Sequence, residues 1–435
     1  MVIVTLDHGI YLGRANDHDV SSGDQHSTLV LGPSRSGKTT SLIIPNLLMT
    51  SRSSIITSTK DDVLRVMNGA RHDGATLLFD PSGTVSTPAG VRRIGYSPIR
   101  HALSWDGAVL ATRALTDVSR RRHLDDGESH WIERAGALVA PLLHAAALGD
   151  ESLGKLASRV DARRADDAAA ALAARYGEAH PSVTLIRGVL ATDDRERSGI
   201  WSTASGLFAG MRTDAARAAA RESPLDVDEF LSGPHQLHVV APSRHQAVTV
   251  PLVVGLIDEV VHATYDRHRD GARLLLALDE LANVAPLPRL ASIVSEGGGQ
   301  GVVTLACLQD LSQARSRWGA NADGFLSLFP TTVVLPGIAD RTTLEMIQQL
   351  AGRSLVATHN VQVSRRGRSD GYSRSWIERD NATVSDVARG RPGFAIGLNQ
   401  RKELGWIELT ASFRDPRFRP YLERSAPSRD LTRER

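Results

Sequence analysis

The chain has 435 residues, of which 41% are apolar and 23% charged, and its net charge is +2. This length supports about two to three domain-sized units around a large buried core. The balance excludes a disordered chain and a polycation that binds nucleic acid over its whole surface.

Residues 1–26 predict a short strand pair with polar connections. The first residues, MVIVTLDHGIYLGRAN, lack a basic n-region and meet Asp7 early, so they are not expected to be a signal peptide. Residues 27–32 (STLVLG) predict a buried strand that runs into a Gly-rich loop and a helix. Short apolar runs at 53–57 and 76–80 predict further strands. From about 104 to 230 the chain is alanine-rich with helical spacing. Helices are predicted over 131–148 (bent at Pro141), 161–176 and 198–211. Strand signals return at 236–240, 274–279, 302–308 and 331–335, with a long helix over 250–267. Runs apolar on both faces, alternating with helices, predict a parallel sheet covered on both sides. After Gly352 come polar, Arg-rich stretches, late strands near 394–397 and 406–409, and a Pro- and charge-rich tail from Arg414, read as disordered or as a docking segment. The fold class is therefore α/β, with residues 1–100 and 234–412 as one domain, an inserted all-α domain over 101–233, and a C-terminal tail over 413–435.

Several chemistries drop out. A single cysteine, Cys307, excludes an internal disulfide; its apolar surroundings predict a small buried hydrophobe and fit a reducing compartment. No run reaches the ~18 apolar residues of a membrane helix, and the best, 248–263, contains Asp258 and Glu259. His235 and His238 point to opposite faces of a strand, and no Cys/His cluster offers a zinc site. The glycines at 297–301 precede a strand rather than follow one, so they read as a turn and not a dinucleotide site. Trp131 is assigned to core packing rather than base stacking.

One motif is specific. Gly32, Pro33, Ser34, Arg35, Ser36, Gly37, Lys38 and Thr39 match G-x-x-x-x-G-K-[ST], with Thr40 following. Glycines let backbone N–H groups approach a phosphate, and the next helix adds positive potential. Lys38 is expected to neutralise the β/γ phosphates of ATP, and Thr39 to place a hydroxyl on Mg²⁺. Lysine is scarce: Lys38, Lys60, Lys155 and Lys402 against 47 arginines. With that composition, chance supplies on the order of 0.004 such matches in the chain. Asp279 and Glu280 end an apolar strand. Asp279 is expected to hold the Mg²⁺ shell and Glu280 to activate water, the alternative being two acids that cap the next helix. Gln309 ends the following strand and is expected to read the γ-phosphate. All fall at the carboxyl edge of one sheet, where open α/β sheets bind ligands. A strand must separate the P-loop strand from the acid strand, which predicts a RecA-like P-loop nucleotide-binding domain over 1–100 and 234–412; the runs at 53–57, 76–80 and 236–240 are the candidates.

These pieces resemble the coupling ATPases of type IV secretion, the TraG/TraD type of bacterial conjugation. The similar segments are GIYLGR (9–14), GPSRSGKTTSLIIPNLL (32–48), STKDD (58–62), FDPSG (79–83), YSPI (96–99) and LDELANVAPLPRLASIVSEGGGQGVVTLACLQD (278–310). The resemblance implies a homo-hexameric ring at the cytoplasmic face of the plasma membrane. It also implies coupling of relaxase-bound single-stranded DNA, or effector proteins, to type IV secretion channel components. The family normally begins with membrane helices and none precedes Met1 here, so the expectation is a cytosolic part or a member whose anchor is supplied separately. Some relatives carry a trans-acting arginine where this chain has glycines at 297–301. Arg289, Arg315 and Arg341 are the candidates to replace it, and Ser82 stands where relatives carry lysine. Residues 352–435 hold 17 basic and 10 acidic side chains, with Arg365, Arg366 and Arg368 clustered, a candidate DNA contact. The rivals to this reading are a double-stranded DNA translocase of the FtsK/HerA type and a docking platform that binds nucleotide without turnover.

Overall fold

The computed structural model describes residues 9–70, 73–119, 126–363 and 369–422. In chain order its strands are β1 Tyr11–Ala15, β2 His18–Ser21, β3 Thr28–Leu31, β4 Ser53–Ser58, β5 Thr76–Phe79, β6 Arg92–Arg93 and β7 Gln236–Val240. They continue with β8 Leu274–Leu278, β9 Val302–Leu308, β10 Thr331–Val334, β11 Arg353–Val363, β12 Ser369–Asp380, β13 Phe394–Leu398 and β14 Leu404–Glu408. One 12-stranded sheet has the order β2-β1-β14-β13-β10-β3-β9-β8-β4-β7-β5-β6. From β10 to β6 every pairing is parallel. The strands from β13 to β2 extend the sheet antiparallel. Every residue of β3, β7, β8, β9 and β10 is buried, as expected where helices cover both faces of a parallel sheet.

The order corrects one expectation. A strand does separate the P-loop strand β3 from the acid strand β8, but it is β9, the strand that leads to Gln309. The runs at 53–57, 76–80 and 236–240 became β4, β5 and β7, beyond β8. Crossover order is decided by helix packing over the faces, which strand-by-strand periodicity does not encode.

Between β6 and β7 the chain is helical, from Trp105–Ser119 through Val227–Leu231. The alanines allow close helix contact, and one apolar cluster joins Leu138, Leu142, Leu156 and Ile186 of this insert to Leu276 and Leu278 of β8. Side chains of Ser152, Asp193, Thr213 and Asp226 accept backbone N–H groups at helix starts, each worth about 1 kcal/mol. The helix expected over 161–176 starts only at Asp166 and runs to Tyr176; Asp161 ends the preceding helix, Leu153–Asp161, and Arg163 lies in the break at φ 53°. Trp131 packs against the helical core, and a Cβ on Gly199 would come within 2.5 Å of its ring. Among the described residues one helical stretch, Ser243–Asp270, is long and apolar enough to cross a membrane, yet 61% of its apolar window is buried in the protein. It is a core helix here, with Leu252, Leu256 and Ile257 in the main cluster.

Two other segments differ from the reading. The polar stretch after Gly352 contains a long antiparallel hairpin, β11 with β12, outside the main sheet. Its base is tied by Arg353 to Asp380 at 2.7 Å, and Leu355, Trp376 and Ile377 are exposed on it. Arg365, Arg366 and Arg368 lie outside the described residues. The tail is not free from Arg414: Phe418 is buried and meets the Tyr11 ring edge-on at 5.8 Å. Arg417 donates to Tyr11 Oη at 2.8 Å and Asp415 Oδ2 at 2.7 Å, and also pairs with Asp19. Residues 423–435 lie outside the described residues.

Candidate active site

β3 delivers the chain to the P-loop at the carboxyl edge of the sheet. Gly32 is needed for space: a Cβ there would lie 2.8 Å from Ser36 Oγ and 2.9 Å from Leu335 Cβ. Gly37 is needed for its backbone, at φ 91°. The helix opens with one wide π-type turn, Thr39–Ile43, before Ile44–Met49. Lys38 is 6% exposed. Its Nζ donates to the carbonyls of Gly32 at 2.6 Å and Pro33 at 2.8 Å, which holds the ammonium inside the curl of the loop.

β8 brings the acids to the same edge. Thr39 Oγ1 donates to Asp279 Oδ2 at 2.8 Å across 240 residues of sequence. Thr57 Oγ1, from neighbouring β4, donates to the Asp279 carbonyl at 2.9 Å. Burial pushes the Asp279 carboxyl above its usual 3.8, a rise that the Thr39 hydrogen bond and the Lys38 charge only partly offset. Glu280 holds a left-handed backbone, φ 55° and ψ 43°, a conformation that persists in a non-glycine residue only where its surroundings enforce it. Asn283 Nδ2 donates to Glu280 Oε2 at 3.1 Å, which leaves Oε1 for another partner.

A cavity of about 460 Å³ gathers Ser34, Arg35, Ser36, Gly37, Lys38 and Thr39 with Asp279 and Glu280, a size that suits a small-molecule ligand. Gly32, Pro33 and Thr40 support the loop without lining it, Thr40 being buried. Gln309 sits at the end of β9, and its Nε2 reaches Ser34 Oγ at 3.4 Å; it touches the loop rather than the cavity wall. The three candidate arginines are elsewhere. Arg315 pairs with Asp340 at 3.0 Å, Arg289 donates to His262 at 2.5 Å and lies 3.7 Å from Asp258, and Arg341 pairs with Glu345 at 2.6 Å. None lines this chain's own cavity, as is also expected of an arginine that reaches into a neighbouring subunit's site. Asn283 and Lys60, which also lines the cavity, are not among the site residues that the sequence pattern points to. The clue for Lys60 was its place in STKDD just after a strand.

The donor set fits a small hard cation. Among the described residues no three His, Cys, Asp or Glu side chains form a metal cluster. Mg²⁺ needs few protein ligands when phosphate oxygens and water complete its shell, and a buried carboxylate short of positive charge beside the Thr39 hydroxyl offers that.

The folded-state pKa of Asp279 lies above the unfolded value, so ionising it opposes folding as pH rises from 3.8 through the raised value, and the penalty is complete above that. Asp279→Asn removes the charge and keeps an oxygen for Thr39. The nucleotide-free variant is expected to melt about 1–3 °C above wild type at pH 7, with the difference gone below the unfolded pKa, while Mg²⁺-dependent nucleotide binding weakens at least ~10-fold. Calorimetry across pH reads the first effect and titration calorimetry the second. A lower melting temperature at pH 7 would remove the burial penalty.

A family model described as Type IV secretory system Conjugative DNA transfer matches residues 2–389. The chain belongs to that family. Two conjugal transfer proteins TraG from Escherichia coli are similar to it. One is 26% identical over 395 residues, covering 82% of this chain and 60% of that protein. The other is 25% identical over 348 residues, covering 71% and 53%. The chain thus spans little more than half the length of these curated relatives. Solved structures of conjugative coupling protein TrwB share the fold. TrwBdeltaN70 in its unbound monoclinic form has a TM-score of 0.67 at 17% identity over 91% of this chain and 87% of that one. TrwB in complex with the non-hydrolysable ATP analogue ADPNP has a TM-score of 0.67 at 18% identity over 94% and 96%, and TrwB with ADP and Mg²⁺ a TM-score of 0.63 at 18% identity. This family member therefore carries the coupling-protein fold, a RecA-like nucleotide-binding domain with an all-α domain set into it.

Proposed function

We propose that this chain is an ATP-hydrolysing coupling protein that drives relaxase-bound single-stranded DNA, or effector proteins, into a type IV secretion channel. It would work as a homo-hexameric ring at the cytoplasmic face of the membrane. The observation that carries the nucleotide chemistry is the 2.8 Å bond from Thr39 to Asp279, which closes the P-loop onto the acid strand. In this reading residues 1–100 and 234–412 hold ATP, 101–233 receive cargo, and 413–435 form the tail.

Lys38 leaves the Gly32 and Pro33 carbonyls for the β/γ phosphates, exchanging neutral acceptors for charged ones. Thr39 and Asp279 would hold Mg²⁺, which when bound supplies Lewis-acid neutralisation of the phosphates. Glu280, steadied by Asn283, takes a proton from water as the water oxygen bonds to the γ-phosphorus. The bond from that phosphorus to the β-bridging oxygen breaks, giving ADP and inorganic phosphate. Gln309 senses the γ-phosphate through the Ser34 contact. The nucleotide-bound TrwB structures and the family match support this reading.

The test is ATP turnover by the purified protein against its own concentration, with and without single-stranded DNA. Turnover that rises with both, by about 10-fold or more, is the expected result. Nucleotide binding without turnover would point to a docking platform, and stimulation by duplex alone with duplex pumping would point to an FtsK/HerA-type translocase.

A further inference from the structure

The nucleotide cavity holds a second lysine. Lys60 lies two residues beyond β4, whose Thr57 pairs in register with Leu278 beside the acid pair, and it lines the cavity together with Lys38, Asp279 and Glu280. Its backbone N–H donates to Ser58 Oγ at 3.2 Å, which shapes the turn. The adjacent carboxylate of Asp61 is taken by Arg65 at 2.6 Å. Among the described residues no hydrogen bond or ion pair holds the Lys60 ammonium, which stands exposed on the cavity wall.

Composition sharpens this. The chain uses arginine at 47 basic positions and lysine at four, yet two of those four, Lys38 and Lys60, face one cavity. A guanidinium forks onto carboxylates, whereas an ammonium is a compact, mobile point charge. Arg35 also lines the cavity, but from the P-loop; among the described residues that line it from the β4 side, Lys60 is the one cation, a compact ammonium beside Asp62, Asp279 and Glu280. Phosphoryl transfer also needs cationic charge at the transferring group. No arginine lies at 297–301, and Arg289, Arg315 and Arg341 have partners within the chain.

We propose that Lys60 is a catalytic cation supplied in cis, its ammonium contacting the terminal phosphate of the bound nucleoside triphosphate from the β4 side and stabilising the charge that develops during transfer. This rests on the nucleotide-hydrolysing reading above. Lys38 serves the phosphates from the P-loop side, Glu280 the water, and Lys60 the third side.

The experiment compares wild type with Lys60→Ala, Lys60→Arg and Lys38→Ala. It measures affinity for ADPNP and for ADP with aluminium fluoride, both with Mg²⁺, alongside kcat. Aluminium fluoride mimics the transferring phosphoryl group, so a cation acting at that stage shows there. Lys60→Ala is expected to weaken the aluminium fluoride complex about 10²-fold and ADPNP by less than about 3-fold, with kcat falling in step and Lys60→Arg recovering part of both. Equal aluminium fluoride affinity in Lys60→Ala and wild type overturns the proposal, and so does equal weakening of both complexes, which would make Lys60 a ground-state ligand. In either case loss of both complexes in Lys38→Ala leaves the nucleotide reading standing. If Lys38→Ala binds both like wild type, that reading falls and Lys60 with it.

Discussion

Glu280→Gln is expected to lower ATP turnover by about 10³-fold or more and to leave nucleotide affinity within about 3-fold of wild type. The substitution keeps the side-chain length and the oxygen that accepts from Asn283 Nδ2, so the cavity survives. What goes is the ability to accept a proton from water. The backbone adds a control. Glu280 sits at φ 55°, which disfavours a residue with a Cβ by roughly 1 kcal/mol. Glu280→Gly relieves that penalty, so it is expected to abolish turnover without lowering the melting temperature. Strain and chemistry then move independently, and each has its own readout, steady-state phosphate release and calorimetry. Normal turnover in purified Glu280→Gln would remove the water-activating role.

The chemistry of this site was legible because its residues end elements that local pattern reveals. Lys38 follows a buried strand and a glycine loop, Asp279 and Glu280 close an apolar run, and Gln309 closes another. Each is read from its own neighbours. What sequence reading missed depends on distant partners. Among the described residues β11 and β12 pair only with each other and leave Leu355, Trp376 and Ile377 exposed, so burial imposes no apolar alternation at those positions. The tail from Arg414 reads as disordered or as a docking segment; the described part, to 422, docks, and where it does so is set by Arg417 reaching Tyr11 and Asp19, about the whole chain away in sequence. Lys60 belongs to this second group. It occupies a turn with no periodicity, and only the pairing of β4 with β8 sets it beside the acids. Asn283 likewise follows Glu280 by one helical turn, but its role appears only once Glu280 is seen to be left-handed.

Lys38→Ala is expected to remove nucleotide binding itself, with affinity for ADPNP and Mg²⁺ falling about 10²-fold or more and turnover lost with it. Lys38 is nearly buried, and its ammonium is held by two loop carbonyls. Moving it to phosphate is downhill because charge-assisted bonds are roughly twice as strong as neutral ones. Without it the negative phosphates would face Asp279 and Glu280 with one fewer compensating charge. Lys38→Arg should fail nearly as badly, since a planar fork does not fit a curl whose carbonyls lie 2.6 and 2.8 Å from a single nitrogen. Thermal shift reads the result directly. At a ligand concentration of about 100 times the dissociation constant, binding stabilises the native state by about 2.7 kcal/mol. Wild type should therefore melt a few degrees higher with ADPNP and Mg²⁺, while Lys38→Ala should not move. The free variant should still melt cooperatively, because losing the ammonium leaves two carbonyls short of a donor, a penalty of about 1–3 kcal/mol each at most. A thermal shift retained in Lys38→Ala would mean that nucleotide binds somewhere other than the P-loop.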